Sequence, residues 1–262
     1  MSLRKAIVFF AVLSLFVAAC GDGDATDATE APTATTQAPD TPTTDAPDES
    51  DGSLSVLMFE SFDGWVMDEA AAYVTYNMHQ AVMEPLVRFA ADGFSIEPGL
   101  AESWVYDPDA LTLTFTLFEG AAFSNGDPVT AEDVAFSLSV WNEGLNFGGS
   151  WDSIAAVTGE GREVVMELAF PDNTILPVLS GSISGIMPRD FGGMTAEEYY
   201  QNPIGAGPFT VDEWSIGGRT VLKKNANYNR EGRPYVDEVV IDVVTDDTEQ
   251  QILFDSGDSD IV

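Results

Sequence analysis

The chain has 262 residues, with 44 Asp and Glu against 10 Lys and Arg, giving a formal net charge of -34 on only 21% charged residues. So acidic a surface repels phosphate backbones and anionic headgroups, which excludes nucleic acid and electrostatic membrane adsorption. One Cys and one His exclude a disulfide scaffold and leave too few soft ligands for a transition metal held by protein side chains alone. The acidity reads first as solubility in a medium where salt screens self-repulsion, and a preference for cationic ligands stays open.

Taken in chain order, Arg4 and Lys5 form a positive start, residues 6 to 16 an apolar stretch too short to span a bilayer, and small residues follow. Val17-Ala18-Ala19-Cys20 resembles the lipobox of bacterial lipoproteins. That resemblance implies a signal peptide over 1–19, cleavage before Cys20 and acylation of the Cys20 thiol and new amine. A plain secretory signal with an incidental cysteine is the alternative. More than one acyl chain anchors stably where a single chain is marginal, so the mature protein is expected outside the cell membrane, tethered by lipid but not inserted. Residues 20–52 contain almost only Asp, Ala, Thr, Pro, Glu and Gly after the cysteine, with prolines at 32, 39, 42 and 47. Such a segment cannot build a core and reads as an extended, disordered stalk, whose Thr-Pro content also suits O-glycosylation. Asp22, Asp24 and Asp27 lack the Gly and closing Glu of a calcium loop.

Composition changes at Ser53, and residues 53–262 carry apolar residues enough for one large lobe or two small domains. Residues 54 to 59 read as a strand and 67 to 83 as a helix. Leu111 to Phe118 alternate with period two, as a half-buried strand does. Thr130-Ala-Glu-Asp133 is a capping box opening a helix through Trp141, with Val134, Phe136, Leu138 and Trp141 available to its apolar face. Strand pairs are expected at 153–158 with 163–170, and at 207–214 with 219–225 across Ile216-Gly217-Gly218. Val236 to Val244 is a further strand, and Asp246 to Phe254 a closing helix. The order predicts α/β or α+β structure with a mixed sheet and no internal repeat.

Two collinear blocks carry a resemblance. The first runs through Glu84-Pro-Leu-Val-Arg88, Ile96-Glu-Pro-Gly-Leu-Ala-Glu-Ser-Trp104, Leu113-Thr-Phe-Thr-Leu117, Glu119-Gly120, Phe123-Ser-Asn-Gly-Asp-Pro-Val-Thr-Ala-Glu-Asp-Val134 and Phe136-Ser-Leu138. The second runs through Asn202-Pro-Ile-Gly-Ala-Gly-Pro-Phe209, Trp214, Val221-Leu-Lys-Lys-Asn225, Asn227-Tyr228, Arg233-Pro-Tyr-Val-Asp-Glu-Val-Val240 and Ser256-Gly-Asp-Ser-Asp-Ile261. Together they resemble the family 5 extracellular solute-binding proteins of ABC importers, the peptide and nickel group. Phe118 and Ala206 depart from it, where the family commonly has a basic residue and Thr. The resemblance implies a type II, Venus-flytrap fold of two lobes that close on a ligand, of which 53–262 would be the N-terminal lobe, truncated. A sheet edge left unpaired and weak or absent ligand affinity for this stretch alone follow from that expectation. It also implies a peptide or similar small solute as ligand, sugars, opines and metal chelates being served by the same fold, and ABC permease subunits as partners.

No nucleophile, base and orienter set can be assembled, and no cofactor is called for. His79 reads as a packing or surface residue before a ligand or catalytic base. Glu60 and Asp63 could form a glycosidase pair only at a defined separation across a sugar. Position favours another reading, because cleft residues of α/β binding proteins project from the carboxyl ends of strands. Glu60 would accept from a ligand amine, Ser61 would read an amide, and Phe62 and Trp65 would form an apolar wall or simply cap the core. Ser182 and Ser184, in Ser180-Gly-Ser-Ile-Ser-Gly185, could present hydroxyls to the cleft or belong to an ordinary loop. Gly205-Ala206-Gly207 permits close backbone approach to a ligand or to a neighbouring element. Lys223-Lys224 reads as a solvated face. The rival functions are a lipid-anchored secreted hydrolase and an envelope adhesion or scaffold lipoprotein.

Overall fold

The computed structural model describes residues 52–66, 73–144 and 149–262. The signal peptide, Cys20, the stalk to Asp51 and residues 67–72 of the expected first helix lie outside the described residues. Chain order runs β1 (Ser53–Met58), α1 (Tyr73–Val82), β2 (Val87–Phe89), β3 (Ile96–Pro98), β4 (Ala101–Asp107), β5 (Thr112–Leu117) and α2 (Ala131–Glu143). It continues with β6 (Ile154–Thr158), β7 (Glu163–Leu168), α3 (Ile175–Leu179), α4 (Ala196–Gln201), β8 (Phe209–Trp214), β9 (Thr220–Lys224), β10 (Glu238–Val243) and α5 (Asp247–Ser256).

Two four-stranded sheets organise these elements. The first has the order β1-β10-β9-β8, with β1 parallel to β10 and the other pairs antiparallel, so it is mixed. The second, β4-β5-β7-β6, is wholly antiparallel and is built from the chain between β1 and β8. Alternation explains the latter. Leu113, Phe115 and Leu117 of β5 point to the core with Val164, Met166 and Leu168 of β7, while the threonines of β5 face outward. Over these strands lies α2, which buries Val134, Leu138 and Trp141 at helical spacing. Its start is fixed by Thr130 and Asp133, whose side chains each bond the other's backbone N–H, a cap that contributes about 1 kcal/mol.

Two boundaries differ from expectation for local reasons. Leu111 takes φ 54° in the turn before β5 and so starts no strand, and Phe59 leaves β1 into a bend, 62% exposed. The outer edge of β1, expected to be bare, is partly occupied by Asp260 and Ile261. Their N–H groups donate to Ser55 O, and Leu57 N donates back to Ile261 O at 2.8 Å. At the other edge, β8 carries a bulge and the exposed acids Asp212 and Glu213, which discourage further pairing.

The last turn of α1 anchors the molecule's centre. Val74, Met78 and Val82 follow one another on its inner face, and Val82 O accepts from Gly207 N at 2.8 Å. Among the described residues no helix is long and apolar enough to cross a membrane.

Candidate functional site

The loop leaving the carboxyl end of β1 turns inward at once. Phe62 and Trp65 are buried and meet edge to face at 4.9 Å, and Trp214 of β8 packs on both at 5.7 and 6.5 Å. Trp214 is held in turn by its indole N–H donating to Gln201 O at 2.9 Å. Ser61 points outward and donates to Asp63 Oδ1 at 2.8 Å, while Glu60, half-buried, has one carboxylate oxygen enclosed without a hydrogen-bond partner. Both rings belong to the core.

α1 delivers His79 against Trp65, ring centroids 5.6 Å apart. Burial drives the imidazole pKa down to about 3, only partly opposed by a ring bond to the Trp65 backbone. His79 is thus neutral, and its enclosed Nε2 has no partner. In the neutral ring with its proton on Nδ1, that nitrogen is an acceptor. Beside it Trp65 Nε1–H is also buried and unpaired. Leaving such groups unmatched costs about 1–3 kcal/mol each, so an occupant that pairs with them recovers that energy.

Both side chains line one cavity of about 60 Å³, whose other walls include Met83, Trp141, Trp151 and Ser182. Trp141 and Trp151 stack at 5.2 Å, a tilted pair brought together from α2 and the turn before β6. At about 10–15 Å³ per enclosed water, such a space holds a small polar group rather than a whole solute. A second, polar cavity of about 290 Å³ shares Met83 and Ser182 with it and is walled by Glu84 and Arg88. Burial raises the Glu84 pKa, while Arg230, 3.7 Å away, and Arg88 pull it back. Glu84 also loads Tyr228, whose hydroxyl donates to it at 3.4 Å; burial first, then this carboxylate, pushes the phenol up to about 12.

Of the residues singled out in the sequence, the structure brings together Trp65 and Ser182. Ser184 lies behind the wall: its hydroxyl donates to Val178 O at 2.8 Å and accepts from Trp151 Nε1 at 3.2 Å, fixing that indole. Gly205, Ala206 and Gly207 are buried against α1, where a Cβ on Gly205 would stand 1.9 Å from Val82 O and 3.1 Å from Met83 Sδ. They place Met83, one wall of the cavity. Sequence reasoning placed Trp141 only on the apolar face of its helix and passed over Trp151 and the acceptor role open to His79. The cue for the two tryptophans was only their type, since segments far apart bring them into contact. Among the described residues no three His, Cys, Asp or Glu side chains gather as a metal site.

The profile of the bacterial extracellular solute-binding proteins, family 5, matches residues 95–262. The chain belongs to this family. Its members are binding proteins rather than enzymes, and the mixed α/β fold is that of type II periplasmic binding proteins. The nickel-binding periplasmic protein of Escherichia coli is a family 5 relative 29% identical over 187 residues, covering 69% of this chain and 35% of its own. A dipeptide-binding protein of Bacillus subtilis is 28% identical over 210 residues, covering 71% of this chain and 38% of its own. Among solved structures, a binding protein from A. tumefaciens R10 in complex with mannopinic acid superposes with a TM-score of 0.73 at 27% identity, over 79% of this chain and 44% of that one. The chain therefore spans 35% to 44% of the length of these relatives.

Proposed function

We propose that this chain forms the N-terminal lobe of an ABC-importer substrate-binding lipoprotein that captures peptides or similar small solutes outside the membrane. The solute lies against the carboxyl end of β1, and closure of a second lobe over it shifts the population from open to closed. The closed form delivers the solute to permease subunits for ATP-driven uptake. One observation carries this: the loop after β1, α1 and the Ser182 turn converge on a single aromatic cavity holding an unpaired donor and acceptor. Enclosure of apolar surface there drives binding, and the two polar atoms orient what binds. The residues 1–19 signal, the lipid on Cys20 and the 20–52 stalk belong to the same proposal, placing the lobe at the outer face of the membrane. Within it Trp65 and Ser182 face the solute, while Ser184 and Gly205–Gly207 act as supports.

Calorimetry and thermal denaturation of a two-lobed protein carrying this lobe, with di- to nonapeptides, mannopinic acid and a nickel–histidine chelate, test the reading, the lobe alone being expected to bind weakly or not at all. Peptides are expected to raise the Tm, the stabilisation growing as ligand exceeds Kd and reaching about 2.7 kcal/mol at a hundredfold excess. A shift with mannopinic acid or the chelate alone changes the solute class. No shift with any of them overturns capture by this lobe. In cells, Cys20→Ser is expected to move the protein from the membrane to the soluble fraction; a protein that stays membrane-bound refutes the lipid anchor.

A further inference from the structure

We propose that the Trp65–His79 end of the cavity is a subsite for a neutral primary amide. It donates from the Trp65 indole N–H to the ligand carbonyl and accepts at His79 Nε2 from the adjoining NH2. This rests on the reading of the cavity as the solute site and adds the chemistry of the group it takes. Both side chains are almost fully buried, at 1% and 4% exposure, and both line the cavity with their one free polar atom unpaired. A primary carboxamide presents a carbonyl acceptor and an NH2 donor on one carbon, and a carbonyl and one N–H of that group complement one donor and one acceptor on adjacent rings.

Charged isosteres fit worse. With His79 neutral, no side chain lining the cavity carries a charge. A carboxylate there would meet the imidazole lone pair with no counter-charge, and an ammonium would face the indole N–H. The neutral ring with its proton on Nδ1 leaves the unpartnered Nε2 as the acceptor that the subsite uses. Size agrees as well. About 60 Å³ accommodates roughly four water-sized positions, which suits a carboxamide and the methylene that carries it. The amide comes either from a Gln or Asn side chain of a bound peptide or from a free small carboxamide.

Saturation-transfer NMR on the full chain with propionamide, propionate and 2-butanone compares amide, anion and a ketone lacking the donor. Propionamide is expected to bind at least about tenfold more tightly than either. In a peptide arm on the two-lobed protein carrying this lobe, Ala-Gln-Ala is expected to exceed Ala-Glu-Ala and Ala-Leu-Ala in thermal stabilisation. His79→Phe is expected to erase the preference for propionamide over 2-butanone. The wild-type ranking stands without the variant should that variant fold poorly. Propionate or 2-butanone matching propionamide, transfer from none of the three so that the cavity holds water only, or an unchanged ranking in a folded His79→Phe protein would each overturn the subsite. Peptides that bind without favouring Gln remove the subsite and leave solute capture standing. Propionamide binding without peptide binding supports the subsite and removes the peptide reading alone.

Discussion

Gly205→Ala is expected to lower the Tm of the chain by about 6 to 12 °C, a loss of about 3 kcal/mol. The added methyl would stand 1.9 Å from Val82 O and 2.7 Å from Val82 C, both backbone atoms at the end of α1. Backbone held from several sides does not yield as the tip of a flexible side chain does. Val82 O already accepts from Gly207 N at 2.8 Å, Met83 N donates to His79 O at 2.6 Å, and Gly205 O accepts from Ser124 N at 2.8 Å. Relief of the contact therefore means drawing the 205–207 turn away from α1, breaking the first bond and opening space beside Met83. Gly207 is under the same constraint, with Val82 C and O both 2.6 Å from its would-be Cβ. Thermal denaturation followed by circular dichroism reads the effect. If these glycines instead served mainly to let a solute approach, the variant would melt within about 2 °C of the parent and lose only ligand affinity. That result would refute the supporting role assigned to them.

The contrast between those glycines and the strands shows what the sequence exposes. β5, β7 and α2 were legible because each buries one face at its own period, and the capping box at Thr130 marked where α2 begins. β4 escaped because a bulge between Ala101 and Ser103 shifts its register, and as an outer strand it keeps most side chains in solvent, which blurs the alternation. α3 and α4 are five and six residues long, too short for a helical period to declare itself. The mixed sheet was readable from the element order, but its parallel pair joins β1 to β10, separated by almost the whole folded chain. Within the site, the Glu60–Trp65 loop could be placed by rule at the end of a strand. Which of Ser182 and Ser184 faces the cavity could not, because a short 3-10 turn decides it. Nor could the fate of His79, which depends on a ring from another segment excluding water from it.

That exclusion has a measurable consequence in acid, and His79→Phe is expected to remove it. The imidazole titrates at 6.5 when unfolded and at about 3 when buried, so below pH 6.5 the unfolded chain binds a proton that the folded chain refuses. The stability tied to neutral His79 is complete above pH 6.5. It is lost as pH falls from 6.5 toward 3, at about 1.4 kcal/mol per pH unit. Between about pH 7 and pH 5 the parent should therefore lose about 2 kcal/mol that His79→Phe, similar in volume and without a titrating group, does not. Glu84 acts with the opposite sign: its pKa is raised in the fold, so it favours the folded state as acid is added and that contribution fades as pH rises through its folded value. Present in both proteins, it cancels in the comparison, as do the exposed carboxylates of Glu198 and Glu238, whose pKa values hydrogen bonds to Thr195 and Lys223 depress. Urea unfolding of both proteins at the two pH values gives the difference directly. Parallel losses would mean that the folded imidazole takes up its proton near its ordinary pKa, which requires water or a counter-charge at Nε2. In that case the cavity would no longer offer a lone pair to a ligand N–H. The acid behaviour of an empty protein therefore tests the acceptor on which recognition at this end of the cavity depends.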